Sequence, residues 1–357
     1  MDPNSSQRAS VTVADVARKA GVSKATAARV LGGYGTVSDR VRDAVTVAAR
    51  ALDYRPNELA RSMTTGRSGT IGVVVGDIEN PFFSLAVRGI TDIARQAGFT
   101  VILINSGEDV SAEKAAIRTL VAKRVDGLIV SPAKESDVEH LREAARSGRP
   151  LALLDRGSEA FEVDTVIADD RHAAAGITRQ LIELGHRRIA YITACDTPDR
   201  VFHTPNDINT GSVRRRVEGF LDTCREAGLP AMERWVYMGA VTPEQTRQIA
   251  KRMLEGKNRP TAVIASDSVI GLEIFKTSRL IGLAIPQELS LISFHDADWT
   301  AVTSPPVTVV RQPVYQLGET AAKLLVERLN GNDTAPRKVV LRTEVVERAS
   351  VARLLED

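Results

Sequence analysis

Two hydrophobic patterns divide the chain near residue 70. Up to about Asp53, apolar residues recur three and four positions apart, as on one face of an α-helix. Val16, Ala17 and Ala20 form one such set, Val22, Val30 and Leu31 a second. Val41, Ala44, Val45, Ala48 and Leu52 form a third, over about Ser38 to Asp53. From Thr70 onward, short β-branched runs alternate with helical periods. TIGVVV (70–75), TVILIN (100–105), DGLIVS (126–131), LALLD (151–155), RIAYIT (188–193), TAVIAS (261–266), LSLISF (289–294) and VTVV (307–310) read as strands. Leu85 to Ala97, Ala112 to Lys123 and Val213 to Ala227 read as amphipathic helices between them. Continuous apolar strands joined by helices predict parallel sheets covered on both faces. So many strand–helix units exceed one sheet, so a two-lobed α/β body is expected.

The first helices carry boundary signals. Thr12 followed by Asp15 fits a reciprocal N-cap, Gly21 permits a sharp turn, and Ser23 suits the N-cap of a second helix. That helix would turn Lys24, Ala25, Thr26 and Arg29 outward. Two short helices around a glycine turn either form a plain hairpin or a helix-turn-helix whose second helix enters the DNA major groove. Beyond the third helix, Pro56 opens a two-turn stretch over Asn57 to Met63, and Thr64 to Gly69 form a flexible exit. A helix that short is marginal in water unless it packs against something.

Charge sharpens this division. Residues 1–67 hold eleven Lys/Arg against six Asp/Glu, so the head is basic although the whole chain is only +2. A basic head on a mildly acidic body suits phosphate contacts at one end. Two cysteines, Cys195 and Cys224, do not make a disulfide framework and fit a reducing cytoplasm. Neither a membrane-spanning run nor a secretion signal is expected. GGYG (32–35) follows a helix instead of a strand, so it is no dinucleotide fingerprint. HExxH and GxSxG are missing and the five histidines lack metal-ligand spacing, so an enzyme, a metal site or a cofactor is not expected.

The ordered segments VADVARKAGVS…RVL (13–31), YRPNELARSM (54–63), GRSGTIGVVV (66–75), NPFF (80–83), KRVDGLIV (123–130), LGHRRIAYI (184–192), RRVEGF (215–220) and SPPVTVVRQP (304–313) resemble the lactose/galactose repressor (LacI/GalR) family of bacterial transcription regulators. The likeness runs from about Val11 to Val351. It implies a helix-turn-helix head (11–54), a hinge helix and linker (55–69), and a periplasmic-binding-protein-like body (70–352). Lobe 1 of that body would hold about 70–167 and 314–341, lobe 2 about 168–313 and 342–352. It also implies an effector-controlled repressor that binds pseudo-palindromic operator DNA as a homodimer; a solute-binding protein or sugar-active enzyme of the same body fold is the alternative. The ten residues after the last strand are too few for a heptad-repeat tetramerisation helix.

In such proteins the start of the recognition helix reads base edges. Lys24 and Arg29 can donate to guanine or to phosphate, and Ala25 offers a methyl group. Thr12, Ser23, Thr26 and Arg40 are candidates for phosphate contacts. Met63 stands where relatives wedge an apolar residue into the minor groove, or else caps the body's core, with Arg55, Asn57 and Arg61 near the groove. For the effector, the likeness points to the strand ends between the lobes: Asp77, Phe82, Phe83, Asp155, Arg156, Arg216, Ser266, His295 and Trp299. Phe83 is equally readable as core. His295, followed by Asp296, stands where relatives often have Asp. Val241 stands where the purine repressor presents an aromatic, which removes a purine's stacking partner. Arg156, Arg216 and His295 lean toward an anionic ligand, while Asp77, Asp155, Asp267 and Asp296 lean toward a neutral sugar; the neutral or modified monosaccharide is slightly favoured. The 195–211 segment is longer than usual and can reach the cleft mouth.

Overall fold

The computed structural model describes residues 11–32, 35–54, 66–195 and 201–354. Contacts divide the chain into two units, residues 1–69 and 70–357. In the first, α1 (Val13–Ala20), α2 (Lys24–Gly32) and α3 (Asp39–Ala51) enclose a small core of Val16, Ala17, Ala27, Val45, Ala48 and Ala49. Gly21, at φ 68°, adopts the left-handed turn expected of it. Ala27 and Ala49 complete the core, whereas Val22, Val30 and Leu31 are only partly buried around it. The region containing Arg55, Asn57, Arg61 and Met63 lies outside the described residues.

In the body, the described residues form two six-stranded sheets. Sheet A holds β1 (Thr70–Val75), β2 (Thr100–Asn105), β3 (Gly127–Val130), β4 (Leu151–Leu154), β5 (Asp164–Ala168) and β11 (Lys338–Leu341). Sheet B holds β6 (Ile189–Ile192), β7 (Val236–Tyr237), β8 (Ala262–Ala265), β9 (Ser290–Phe294), β10 (Thr308–Arg311) and β12 (Glu344–Val346). Their orders, β11-β5-β4-β3-β1-β2 and β12-β10-β9-β8-β6-β7, are one pattern used twice. Only β12 among them runs antiparallel, against β10. The central strands are buried end to end, as sheets covered on both faces require.

Helices α4 (Pro81–Gln96) and α12 (Val314–Leu329) cover one face of sheet A. On the other face lie α5 (Val110–Ala122) and α6 (Glu139–Arg146). Sheet B is enclosed by α7 (Asp170–Glu183), α8 (Gly211–Glu226), α9 (Pro243–Leu254) and α10 (Ser268–Leu280), with the short α11 (Asp298–Val302) after β9. Each lobe has one helix pair brought to backbone contact by glycine. A Cβ on Gly318 would lie 2.0 Å from the Ala86 carbonyl, and one on Gly219 2.2 Å from that of Arg171. Helix α4 starts four residues before the expected Leu85, because Asn80 caps it by accepting the Phe82 N–H at 3.0 Å. NPFF is therefore a helix start and not part of the preceding loop.

Among the described residues the chain passes between the sheets three times, after β5, after β10 and after β11. Two of these passages are tied together. The Asp169 N–H donates to Leu341 O at 3.0 Å, and Asp169 Oδ1 accepts the Thr343 N–H at 2.8 Å.

Candidate functional sites

In the head, Ser23 caps the second helix: its hydroxyl accepts the Thr26 N–H at 3.1 Å and lies 2.8 Å from the Thr26 hydroxyl. This fixes where α2 begins and leaves Lys24, Ala25 and Arg29 exposed on its outer side, with Thr26 half-buried. Arg40 is exposed on the first turn of α3. Thr12 and Asp15 form the reciprocal N-cap expected of them. The Thr12 hydroxyl donates to Asp15 Oδ2 at 2.7 Å, and the same carboxylate accepts the Thr12 N–H at 3.0 Å. Those bonds hold the Asp15 carboxyl below its usual range, so the Thr12 hydroxyl hydrogen serves the helix itself.

In the body, the carboxyl ends of the parallel strands from both sheets meet, where open α/β sheets bind ligands. Asp155 directly follows β4 and His295 directly follows β9, the corresponding strand of the other sheet. Both are left-handed, with φ 64° and 71°, a conformation that non-glycine residues seldom adopt outside sites that use it. Their side chains are buried. The Phe82 ring of lobe 1 meets the His295 ring of lobe 2 at 6.3 Å and Phe83 at 5.3 Å. Burial pulls the His295 imidazole below its usual range, which keeps it neutral.

Helix α8 brings further groups across. The Ser212 hydroxyl donates to Asp155 Oδ2 at 3.0 Å, and Arg214 and Arg215 reach the buried Glu135 of lobe 1 at 2.6 and 3.5 Å. Gly211 leaves room for the Glu135 carboxylate, since a Cβ there would lie 1.5 Å from one of its oxygens and displace it. The Glu135 N–H also donates to Asn209 O at 3.4 Å, so the 195–211 segment does reach lobe 1. Phe202 and Ile208 from that segment are buried in the lobe 2 core.

The two arginines singled out for an anion are already engaged. Arg216 donates through Nε to Asp170 at 2.7 Å and through Nη1 to the Ser266 carbonyl at 2.7 Å, and lies over the Phe294 ring at 4.3 Å. Arg156 holds Glu108 at 2.5 and 2.8 Å and the Pro132 carbonyl at 3.0 Å, inside lobe 1. Three further candidates have partners of their own. Asp77 Oδ1 accepts the Glu79 N–H at 3.0 Å and so closes a local turn. Asp296 turns away from the cleft to Arg311 and Arg348, both at 2.7 Å, because those cations sit behind it. Trp299 is partly buried against the lobe 2 core, its ring 6.3 Å from Phe275, so one face is taken by packing. Asp267 caps α10 by accepting the Val269 and Ile270 N–H groups at 2.8 and 2.9 Å. Val241 is exposed.

Both donors and acceptors remain unmatched here, Arg156 Nε and Arg215 Nε among the donors. Asp155 Oδ1, Asp170 Oδ2, Ser131 Oγ and the Tyr191 hydroxyl are buried without a hydrogen-bond partner, although such groups are ordinarily paired. Burial pushes the Asp170 carboxyl up to about 6; Arg216 opposes that rise and the Asp155 charge adds to it. Ser131 and Ser266 occupy the same position after β3 and β8, the matching strands of the two sheets.

Comparison with known proteins decides what kind of molecule carries this arrangement. Residues 12–57 match the bacterial regulatory proteins of the lacI family, and residues 68–349 match the periplasmic binding proteins and sugar binding domain of the LacI family. The chain belongs to the LacI family. Among relatives of this LacI-family protein, the HTH-type transcriptional regulator DegA of Bacillus subtilis (strain 168) is 30% identical over 345 residues, 96% of this chain and 98% of that one. A solved lac repressor dimer, bound to operator and the anti-inducer ONPF, has a TM-score of 0.82 at 25% identity and covers 96% of this chain and 100% of that one. The transcriptional regulator CelR in complex with cellobiose has a TM-score of 0.68 at 28% identity, covering 95% and 99%. This LacI-family chain is a DNA-binding transcription regulator, and its relatives are regulators, not enzymes. No helix among the described residues is long and apolar enough to cross a membrane.

Asp170, Tyr191, Ser131, Glu135, Arg214 and Arg215 escaped the sequence reading. The three consecutive arginines at 214–216 were a usable signal, since neighbouring helix positions spread 100° apart and meet different partners. Asp170 had a weaker one, an acid pair between an apolar strand and a helix. Tyr191 had none, as a tyrosine inside an apolar run reads as core.

Proposed function

We propose that this LacI-family protein is a repressor whose grip on operator DNA is set by a small polyhydroxylated effector, a sugar or sugar derivative, held between the two lobes. The observation that carries this reading is the group of buried, unpartnered oxygens on Ser131, Asp155, Asp170 and Tyr191. Hydroxyl groups both donate and accept, so a polyol suits carboxylates and hydroxyls together. The polar contacts of the effector are then assigned to Asp155, Ser266 and His295, with Phe82 against a ring face. Phe83, Arg156, Arg216 and Trp299 shape the pocket, and Asp77 lies at its rim.

On the DNA side, Lys24, Ala25 and Arg29 read base edges, and Thr12, Ser23, Thr26 and Arg40 meet phosphates. Arg55, Asn57, Arg61 and Met63 act at the hinge. A twofold dimer on operator DNA is supported by the lac repressor dimer on its operator; a twofold reader calls for a pseudo-palindromic site, and we place the protein in the cytoplasm. The test joins two measurements on the full chain. A thermal-shift screen against neutral sugars, sugar acids, sugar phosphates and nucleosides identifies what raises the melting temperature. Fluorescence anisotropy with a duplex selected from a random palindromic library then records whether that compound changes DNA affinity. Binding of duplex with no response to any compound that stabilises the protein overturns the effector mechanism.

A further inference from the structure

We infer that the effector of this cleft carries a positive charge, as an aminated sugar or polyol whose ammonium group sits between Asp155 Oδ1 and Asp170 Oδ2. This rests on the reading of the cleft as an effector site and specifies the chemistry of the occupant.

The argument begins with the buried charges. Arg156 is matched by Glu108, and Arg214 by Glu135, through short ion pairs. That leaves Asp155, Asp170 and Asp267 to share Arg215 and Arg216, with Arg156 Nε a further 3.7 Å contact of Asp155 Oδ2. All three acids are buried or capped, and His295 is held neutral, so it adds no cation. One positive charge closes the balance. The unmatched acceptors lie where that charge would be received. Asp155 is 4% exposed and Asp170 0%, and each has one carboxylate oxygen with a donor and one without. An uncompensated buried carboxylate is costly, and an ammonium donating to both oxygens is the strong, charge-assisted remedy.

The same inventory disfavours anions. Arg216 gives Nε and Nη1 to Asp170 and a carbonyl, and Arg156 gives its terminal nitrogens to Glu108 and Pro132. Arg156 Nε and Arg215 Nε are buried without a hydrogen-bond partner as well, but each belongs to a guanidinium already paired with a carboxylate. The hydroxyls of Ser131 and Tyr191, also 0% exposed and unpartnered, remain for the uncharged part of the ligand. Their mixed donor and acceptor character fits sugar hydroxyls.

Isothermal titration of the full-length protein decides the matter with defined probes: glucosamine, galactosamine and mannosamine, the N-acetyl derivative and uncharged parent hexose of each, and glucuronate. At least one amine should bind about tenfold or more tightly than both its N-acetyl form and its parent, a difference the size of one charge-assisted contact. Asp155→Asn and Asp170→Asn should each erase that preference while retaining weak binding of the parent sugar. The wild-type series is decisive even for a variant that does not fold. A parent hexose or glucuronate binding as tightly as the amine overturns the inference and leaves the sugar-effector reading standing. No binding by any probe overturns both.

Discussion

Asp155 and His295 hold the same place in the two halves of the body, one past the third strand of sheet A and one past the third strand of sheet B. Both backbones are left-handed, yet one side chain is an acid with an unmatched oxygen and the other a neutral imidazole set against an aromatic ring. The halves repeat a scaffold without repeating its chemistry. Strand order and helix packing set where a side chain points, while residue type sets what it can hold. A ligand touching these two residues would meet an acid at one and a neutral ring at the other.

The largest expected effect tests how differently the halves bury their arginines. Arg216→Ala strands Asp170, which is 0% exposed, and should cost roughly 3–5 kcal/mol in chemical denaturation. Arg156→Ala leaves Glu108 with 40% of its side chain exposed, where water can replace the lost partner, so its loss should be smaller. Equal losses would abolish the contrast. The shared scaffold is tested next. Gly318→Ala and Gly219→Ala each force a Cβ onto a helix carbonyl and should each cost roughly 1–3 kcal/mol, read as a lower melting temperature. A loss in one lobe only would mean that the repeat is topological and not energetic.

A pH series separates the cleft's acid from its imidazole. Asp170 is raised from 3.8 to about 6, so the folded state binds its proton more readily than the unfolded state does. This contribution makes stability fall as pH rises between about 4 and 6, and Asp170→Asn should flatten that slope. His295 is lowered from 6.5, so its contribution falls as pH drops through the unfolded value, and His295→Asn should flatten that side. Melting temperatures across the range distinguish the two. The smallest effects belong to the head. Ser23→Ala should cost about 1 kcal/mol through the lost cap, measurable as reduced helicity on heating. Arg29→Ala should relax preference at one base pair per half-site, by roughly 1–3 kcal/mol in competition binding. Uniform weakening on every duplex would make Arg29 a phosphate contact.

Eight of the strands were legible because their apolar runs are continuous. The other four had weaker patterns: β5 begins at Asp164, β7 has two residues, β11 alternates exposure at a sheet edge, and β12 is a three-residue, mostly exposed edge strand. The head was legible through its caps and turn glycine, apart from Ala27 and Ala49, which are small enough to read as surface. The cleft was legible by position at Asp155 and His295, since strand ends are visible in sequence. Partners were not. Whether Arg216 faces a ligand or Asp170 depends on residues 46 positions apart, and no local pattern records that pairing.

The link between Asp169 and the segment at Leu341 to Thr343 has a mechanical consequence. Two connections pinned to each other cannot stretch or slip independently, so they act as one short axle with the third passage, after β10, beside it. Relative motion of the lobes is then confined to swinging and twisting about that line, and closure on a small molecule becomes an angular displacement of one sheet against the other.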